Sequence, residues 1–357
     1  MKKIFKIFLY NFFILFFIYL LIFSTKNVHA NTYKIENLEI SGEYNINFNK
    51  DDIIDKAFEK AFKILISKIT VSKDYKLVGE QNLKLIKSFV DSFSIVNEKF
   101  ENNKYYGIFE INFNKKNILS FLRNKNIFHS RMITENVLFV PILINPNENN
   151  LFLFNENPFY ENWNKEDESY FLLNYILHNE DLDDYKLIQE NINYIENYSF
   201  KEIISKYELN ENFIIFIVFE DKDYFRTFSR FNINSMQSNF KQEFEVFKYK
   251  DQQKVKELIK SMKIRFDDEW KKINLINTSI KLNFQIYLDS KDVVFIEKVE
   301  KVLNEIELIE TYSINFFNND ITSYNILSNN TPDQLIKEFE KYNIKINIEN
   351  KIWKLSE

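Results

Sequence analysis

Residues 51–69 read DDIIDKAFEKAFKILISKI, and this stretch has the clearest periodicity in the chain. Apolar pairs recur every four residues, from Ile53 and Ile54 to Leu65 and Ile66, so they share one wide face of a helix. Asp51 is the predicted N-cap of that helix. The helix is one element of a predicted α+β module.

Strands are predicted on both sides of this helix. The other elements of the first module are strands at 33–41, 92–100, 105–113 and 137–144 and helices at 81–89 and 115–123. The polar turn ENNK at 101–104 makes a hairpin of the strands beside it. The continuous apolar run at 137–144 is typical of a central strand.

The second module is predicted to combine buried strands with short helices. Strands are expected at 151–154, 213–219, 224–231 and 240–247, and helices at 183–194 and 199–207. A long amphipathic helix follows, with Val255, Met262 and Trp270 on its apolar face. This pattern indicates that the helix connects the second and third modules and packs against both.

The third module is predicted to be ferredoxin-like. Its elements are strands at 280–288, 307–317 and 321–327, helices at 292–304 and 332–342, and a terminal strand within 344–355. This β-α-β-β-α-β order is that of the split sandwich, a fold that hosts many functions. Thr331 and Gln334 form a capping box, with Pro332 at the first helical position.

The predicted fold class is therefore α+β, with three small α/β modules of which the last is ferredoxin-like. The predicted ranges are a signal peptide or uncleaved anchor at 1–30, an N-terminal α+β domain at 31–145, a middle α/β domain at 146–250, a connector helix at 251–277 and the C-terminal domain at 278–357.

The first thirty residues indicate export. Three lysines precede an apolar run at 7–23, and Val28 and Ala30 stand where a signal-peptide cleavage site needs small residues. We predict cleavage after Ala30. The alternative is an uncleaved anchor, which would touch the membrane only through residues 4–23. Both readings place the rest of the chain in the periplasm.

Composition excludes several classes of function. Removing the leader's four lysines leaves 43 basic and 52 acidic residues, a formal charge of −9, which disfavours nucleic-acid binding. The three glycines, Gly42, Gly79 and Gly107, are too scattered for a dinucleotide fingerprint, a P-loop or a nucleophile elbow.

The small numbers of cysteine and histidine residues exclude further kinds of catalytic and metal site. The absence of cysteine excludes thiol catalysis, disulfides and iron–sulfur clusters. Only His129 and His178 follow the leader, which is too few for a three-histidine metal site. We predict no cofactor.

Asparagine is abundant and appears in patches at 145–150, 318–319 and 329–330. We predict that these patches are loops in which asparagine replaces the usual glycine, because asparagine tolerates the left-handed conformation.

Several packing patterns recur along the chain. They are Ala57, Ala61 and Leu65 with KIT at 68–70, VDSF at 90–93, 105–113 with Leu119 and Leu122, 137–144, 151–154 with Asn157, Pro158 and Trp163, and WKL at 353–355. Together they resemble an uncharacterised family of exported proteobacterial proteins, known as domain of unknown function 2066. The resemblance implies an envelope protein without assigned activity, and it supplies no catalytic residue.

One segment is a weak candidate for a metal site. Asn179, Asp181, Asp183 and Glu190 follow the oxygen-ligand spacing of a calcium loop, but Asp184 stands where that loop needs glycine. The alternative, which we favour, is an acidic helix start capped by Asp181 or Asp183.

Three further groups are weaker candidates. Glu161, Glu166, Asp167 and Glu168 surround Trp163, as carboxylates and a platform do in a glycan hydrolase, although a solvated acidic loop is favoured. Ser238 and Lys241 match S-x-x-K without its companion motifs. His129 beside Arg131 could bind an anion. The three tryptophans, Trp163, Trp270 and Trp353, are predicted core or interface anchors.

The sequence therefore predicts a non-enzymatic envelope scaffold or adaptor, whose partner is an envelope protein or a cell-wall component. The alternatives are a carboxylate-dependent hydrolase of cell-wall glycan and a calcium-stabilised binding module.

Overall fold

The computed structural model describes residues 32–148, 150–165, 168–209, 211–222, 224–276, 281–329, 331–349 and 352–356. The chain contains both helices and strands, and the strands form several separate sheets. The predicted α+β class is therefore confirmed. The predicted leader, with Val28 and Ala30, lies outside the described residues. Within them, no helix is long and apolar enough to span a membrane.

The first sheet has three antiparallel strands in the order β1 (Thr32–Glu43), β3 (Lys104–Asn114) and β2 (Val90–Glu101). Asn102 and Asn103 form the β2–β3 turn with φ of 51° and 58°. Left-handed angles at both central residues match the twist of a hairpin. The predicted hairpin is therefore confirmed.

Helix α1 (Lys50–Ile69) covers one face of this sheet, and its apolar face joins the sheet in one core. Its N-cap is Asn49, whose side chain accepts a hydrogen bond from the Asp51 amide. The prediction of Asp51 as the cap is therefore wrong by two residues. Three helices complete this region: α2 (Ser72–Val78), α3 (Leu83–Phe89) and α4 (Lys115–Asn124).

The second sheet has six strands, with β5 (Glu135–Asn145) and β8 (Phe213–Glu220) parallel at its centre. The other strands are β6 (Asn150–Phe152), β7 (Leu173–Leu177), β9 (Phe225–Ile233) and β10 (Met236–Phe244). All eight residues of β8 are buried because both faces of the sheet are covered, which explains its unbroken apolar sequence. β5 lies in the range 31–145 predicted for the first module, yet all three of its pairing partners belong to this sheet.

One face of the second sheet packs against α8 (Gln252–Ile273), the predicted connector, and against α5 (Pro158–Asn162). The other face packs against α6 (Leu182–Glu190) and α7 (Lys201–Ile204). The predicted helix at 199–207 is therefore only four residues long.

The third sheet has the order β13 (Ile309–Phe317), β14 (Ile321–Ser328), β12 (Leu282–Asp289), β16 (Ile352–Ser356) and β15 (Lys345–Glu349). With α9 (Val293–Glu305) and α10 (Pro332–Lys341), it gives the predicted ferredoxin-like order. The single terminal strand predicted within 344–355 is instead a hairpin. Its second arm, β16, lies parallel to β12 and displaces β15 to the edge.

The third module is joined to the rest of the chain by polar contacts. β4 (His129–Ser130) pairs with β11 (Leu275–Ile276) beside it. Arg131 Nη1 lies 2.5 Å from Glu338 Oε1, and Lys115 Nζ lies 2.5 Å from Glu307 Oε1. These ion pairs connect basic residues near the first sheet with acidic residues of the third module.

Candidate functional site: a cleft between the first module and helix α8

The candidate site is a cleft of about 430 Å³ where the end of α1 and the start of α2 face α8. We call it the junction cleft. It is lined by Ser67, Thr70, Ser72, Tyr75, Tyr170, Phe171, Lys260, Lys263, Ile264, Asp267, Asp268 and Lys271. Its volume lies in the range of pockets that hold small ligands.

A row of charged residues on α8 forms the floor of the junction cleft. Lys263, Asp267 and Lys271 recur every four residues, immediately beside the apolar stripe of the helix, and all three are buried. Lys271 Nζ lies 2.7 Å from Asp267 Oδ2. Asp267 Oδ1 also accepts a hydrogen bond from the Leu172 amide at 2.7 Å. Burial raises the pKa of Asp267, while Lys271 and this amide hold it down.

The Lys263 ammonium lies among aromatic rings. It is 5.4 Å from the centroid of Tyr175, 5.8 Å from Phe171 and 5.9 Å from Trp163, within cation–π range. Glu168 Oε1 neutralises it at 3.2 Å. Lys263 therefore contacts both Trp163 and Glu168. The sequence had singled out these two residues as candidates, but it had not singled out the lysine.

The two walls of the junction cleft are tied together by Asp268. Its carboxylate accepts hydrogen bonds from the Ser72 amide at 2.7 Å and the Ser72 hydroxyl at 2.5 Å. Val71, the N-cap residue of α2, makes no side-chain cap. Asp268 therefore caps α2 from another helix, which fixes α2 against α8.

The hydroxyl groups along the α1 wall are also engaged. Ser67 donates to the carbonyl oxygens of Ile64 and Tyr170, at 2.8 and 3.0 Å. Thr70 donates to the Ile66 carbonyl at 2.7 Å. The walls are thus held by bonds within the protein and need no ligand to order them.

Lysines pair with two of the four predicted calcium ligands, Asp181 and Asp183. Lys206 Nζ lies 2.5 Å from Asp181 Oδ2 and 2.6 Å from Asp184 Oδ1, and it holds the pKa of Asp181 below its usual range. Asp181 is also the N-cap of α6. Asp183 and Glu190 are exposed, and Asp183 lies beside Lys186. The backbone N–H of Asn179 donates a hydrogen bond to the Tyr207 hydroxyl. Within the described residues, no three acidic or histidine side chains gather as metal ligands do.

The carboxylates near Trp163 do not form a shared site in the described part of the chain. Glu161 pairs with Lys165 at 3.0 Å, whereas Glu168 pairs with Lys263. Glu166 and Asp167 lie outside the described residues. Trp163 itself is fully buried and stacks on Phe139, with 3.8 Å between ring centroids.

Ser238 and Lys241 both lie on β10, three positions apart in a regular antiparallel register. Residues an odd number apart on a strand point to opposite faces of the sheet, so these two side chains do not meet. Lys241 pairs instead with Glu196 at 2.6 Å.

The third weak candidate, His129 beside Arg131, lies at the contact with the third module. Arg131 pairs with Glu338 at 2.5 Å, so its charge is already neutralised. Burial lowers the pKa of His129 to about 4, which leaves the ring uncharged at neutral pH. Trp270 is buried and donates to the Ile133 carbonyl at 2.7 Å, and Trp353 is also buried.

The sequence does not predict the junction cleft, although it contains one signal of it. Lys263, Asp267 and Lys271 alternate in charge at a spacing of four beside an apolar stripe. That pattern indicates an ion-pair row at the edge of a packed helix face. The opposite wall, from Ser67 to Tyr75, has no such pattern.

Comparison with protein-family models and with curated proteins finds no match to this chain. The resemblance to domain of unknown function 2066 therefore stays a prediction.

Proposed function

We propose that the protein is an exported cell-envelope protein that acts without catalysis, as a periplasmic scaffold or adaptor. In this proposal the junction cleft holds the partner, which is another envelope protein or a cell-wall component. The leader and the resemblance to domain of unknown function 2066 support export. Membership of that family is part of the proposal.

The proposal rests on the hydrogen bonds and ion pairs that the polar groups of the junction cleft form. Asp267, Asp268, Lys263 and Lys271 all have partners within the protein. Lys260 is exposed and has no ion-pair partner among the described residues. Asp268 likewise has no ion-pair partner among the described residues, since its two hydrogen bonds come from uncharged groups of Ser72. A fixed frame with these two charges and with aromatic rims suits recognition of a ligand.

The same arrangement argues against hydrolysis of a glycan. Such an enzyme needs two carboxylates facing each other across a cleft, roughly 5–9.5 Å apart. Among the described lining residues, carboxylates stand on α8 alone, at Asp267 and Asp268. These two are adjacent in the sequence and both are hydrogen-bonded, so binding is favoured over hydrolysis.

Crosslinking in cells tests the proposal. A photoreactive phenylalanine analogue at Tyr75, inside the junction cleft, should capture an envelope component. The same analogue at Tyr194, which is 74 % exposed and does not line the cleft, is the matched control. Capture at Tyr75 alone supports the proposal. No capture at Tyr75, or equal capture at both positions, would contradict it.

Export is tested separately by the mass of the N-terminus of the protein recovered from the periplasm. A chain that begins at Asn31 would establish cleavage after Ala30. An intact leader on a membrane-bound chain would establish the anchor. Recovery of the protein from the cytoplasm alone would contradict export.

A further inference from the structure

We propose that two copies of the protein pair through the outer half of β13, which we define as residues 313–317. β13 is an edge strand of the third sheet, and among the described residues it pairs only with β14. None of the residues of this outer half lines the junction cleft. Pairing of two copies is therefore separate from the partner proposed for the cleft.

The outer half of β13 exposes large apolar side chains to water. All five of its residues are exposed, and the apolar ones are Ile314, Phe316 and Phe317, at 60 %, 50 % and 67 %. Ile321, which begins β14 after the hairpin turn, is 41 % exposed. Single apolar residues are common on protein surfaces, but four large ones within one hairpin indicate a contact surface.

β13 also lacks the charges that usually protect an exposed strand edge. The other described edge strands of nine or more residues are β1, β2 and β10, and each carries two or more charged residues. β13 carries Glu310 alone, and residues 311–319 contain neither charge nor proline. A register shift between Ile314 and Phe316 bends the strand. Backbone pairing with a second copy is therefore short, and the side chains supply most of the contact.

The charges around the start of β13 are mainly basic. Lys115 lies 2.5 Å from Glu307, while Arg123 and Lys281 lie 3.3 and 3.2 Å from Glu310. Three basic side chains thus surround two acidic ones, so this end of the strand has a net positive charge.

The charges around the end of β13 are mainly acidic. Asp320, in the turn that follows the strand, lies 2.9 Å from Lys291. The Asp320 carbonyl accepts a hydrogen bond from the Ser290 amide at 3.1 Å, so the turn that holds Asp289 and Asp292 adjoins it. These two turns together contain three acidic residues and one lysine, so this end of the strand has a net negative charge.

The opposite charges of the two ends favour a second copy as the occupant. In an antiparallel pair about a two-fold axis, the start of each β13 lies beside the end of the other. The positive and negative ends then attract each other twice, and the uncharged middle places no like charges opposite each other. A membrane surface fits less well, because anionic lipid headgroups would repel the carboxylates at the end of the strand.

The size of the contact predicts a weak dimer. A fully buried aromatic side chain covers roughly 150–250 Å², so the eight partly exposed side chains of two copies would bury on the order of 800 Å². The strand backbones add to this area and bring it towards about 1,200 Å², the low end for specific interfaces. We therefore expect a dissociation constant in the micromolar range.

Sedimentation velocity of the purified protein between roughly 1 and 100 μM brackets such a dissociation constant. The parent should convert from monomer to dimer over this range. Ile314→Lys and Phe316→Lys should each stay monomeric, because the contact would then bring two lysines together. Met236→Lys is the matched control on the edge strand β10, where Met236 is 55 % exposed, and it should dimerise like the parent. All three positions are exposed, so the variants should share the thermal unfolding midpoint of the parent.

A single cysteine locates the two-fold axis, because the chain has no cysteine of its own. Mild oxidation of Asn315→Cys should give a disulfide-linked dimer, since residue 315 is at the middle of the outer half of β13 and lies beside its copy. Asn239→Cys, at an exposed asparagine of β10, should not become cross-linked under the same conditions.

Three results would overturn the proposal: a parent that stays monomeric, β13 lysine variants that dimerise like the parent, or a dimer that is not cross-linked at residue 315. A monomer that sediments with phosphatidylcholine vesicles, and no longer does so as Phe316→Lys, would overturn it in favour of a lipid surface. None of these results bears on capture of a partner at Tyr75, which lines the separate junction cleft.

Discussion

Acidification should destabilise the protein through His178, which stands just after β7. Its side chain is fully buried, with the ring centroids of Phe154 and Tyr160 at 4.9 and 5.6 Å. Neither ring nitrogen has a hydrogen-bond partner among the described residues. Burial therefore lowers the pKa of His178 from 6.5 to about 4.

The magnitude follows from linkage. The folded-state pKa lies below that of the unfolded chain, so the unfolded chain binds more protons between about pH 6.5 and pH 4. The contribution of His178 to stability is complete above pH 6.5 and is lost as the pH falls towards 4. A pKa lowered from 6.5 to about 4 corresponds to a loss of about 3 kcal/mol.

Urea unfolding of the parent and of His178→Phe, at neutral pH and near pH 4, measures this loss. Phenylalanine keeps a ring among the aromatic neighbours and cannot be protonated, so the fall in the free energy of unfolding should shrink by about 3 kcal/mol. Carboxylates titrate equally in both proteins and cancel from the comparison. Any packing cost of the larger ring is independent of pH.

His129 provides a comparison in another part of the fold. It is buried in β4, and burial lowers its pKa to about 4 as well. His129→Phe should remove a similar share of the pH dependence, and the two effects should add because the sites share no partner. Parallel pH profiles for the parent and His178→Phe would refute the reasoning, since they would mean that protonation of the ring carries no cost.

Three further experiments test the packing around the junction cleft and the contact with the third module. Gly79→Ala would place a Cβ 2.6 Å from a ring carbon of Tyr75, so we expect a loss of about 1–3 kcal/mol in the free energy of unfolding, measured with urea. Asp268→Ala removes the cap of α2 and should cost about 0.5–2 kcal/mol, measured as a lower midpoint of thermal unfolding. Arg131→Gln and Glu338→Gln, alone and together, should show a coupling of roughly 1 kcal/mol in a double-mutant cycle that weakens in high salt; purely additive effects would show that the ion pair does not stabilise the contact.

The sequence predicted the elements whose signals are local. The turn at Asn102 and Asn103 is an example, because two adjacent asparagines suit the two left-handed positions that a tight hairpin requires. Six of the ten non-glycine residues with positive φ in the described chain are asparagines. None of these six lies in the patches at 145–150, 318–319 and 329–330, so the prediction that the patches use asparagine in the left-handed conformation is wrong for their described residues. Asn145 and Asn318 in those patches instead accept hydrogen bonds from the backbone of their own turns.

The missed elements depend on distant partners. β7 is five residues long and exists because it pairs in parallel with β5. Nothing in LNYIL at 173–177 specifies that pairing. The terminal hairpin was missed for a similar reason, because β16 is a strand through its parallel pairing with β12, which lies far away in the sequence. Parallel and edge pairings are decided by tertiary contact rather than by local propensity.

One wall of the junction cleft depends on a local sequence pattern and the other on contacts with distant residues. This explains why only the first wall could be recognised in the sequence. The α8 wall has a periodic row of charges because an ion-pair row on one helix is a local pattern. The α1–α2 wall consists of hydroxyl groups whose role appears only when Asp268 and the Tyr170 carbonyl approach them from elsewhere in the chain. Those bonds fix the walls before any ligand arrives, so a ligand need not supply the free energy to order them. Its affinity should then depend on the charges that have no ion-pair partner among the described residues. For this reason Lys260 and Asp268 should matter more for binding than Asp267 and Lys271, which neutralise each other.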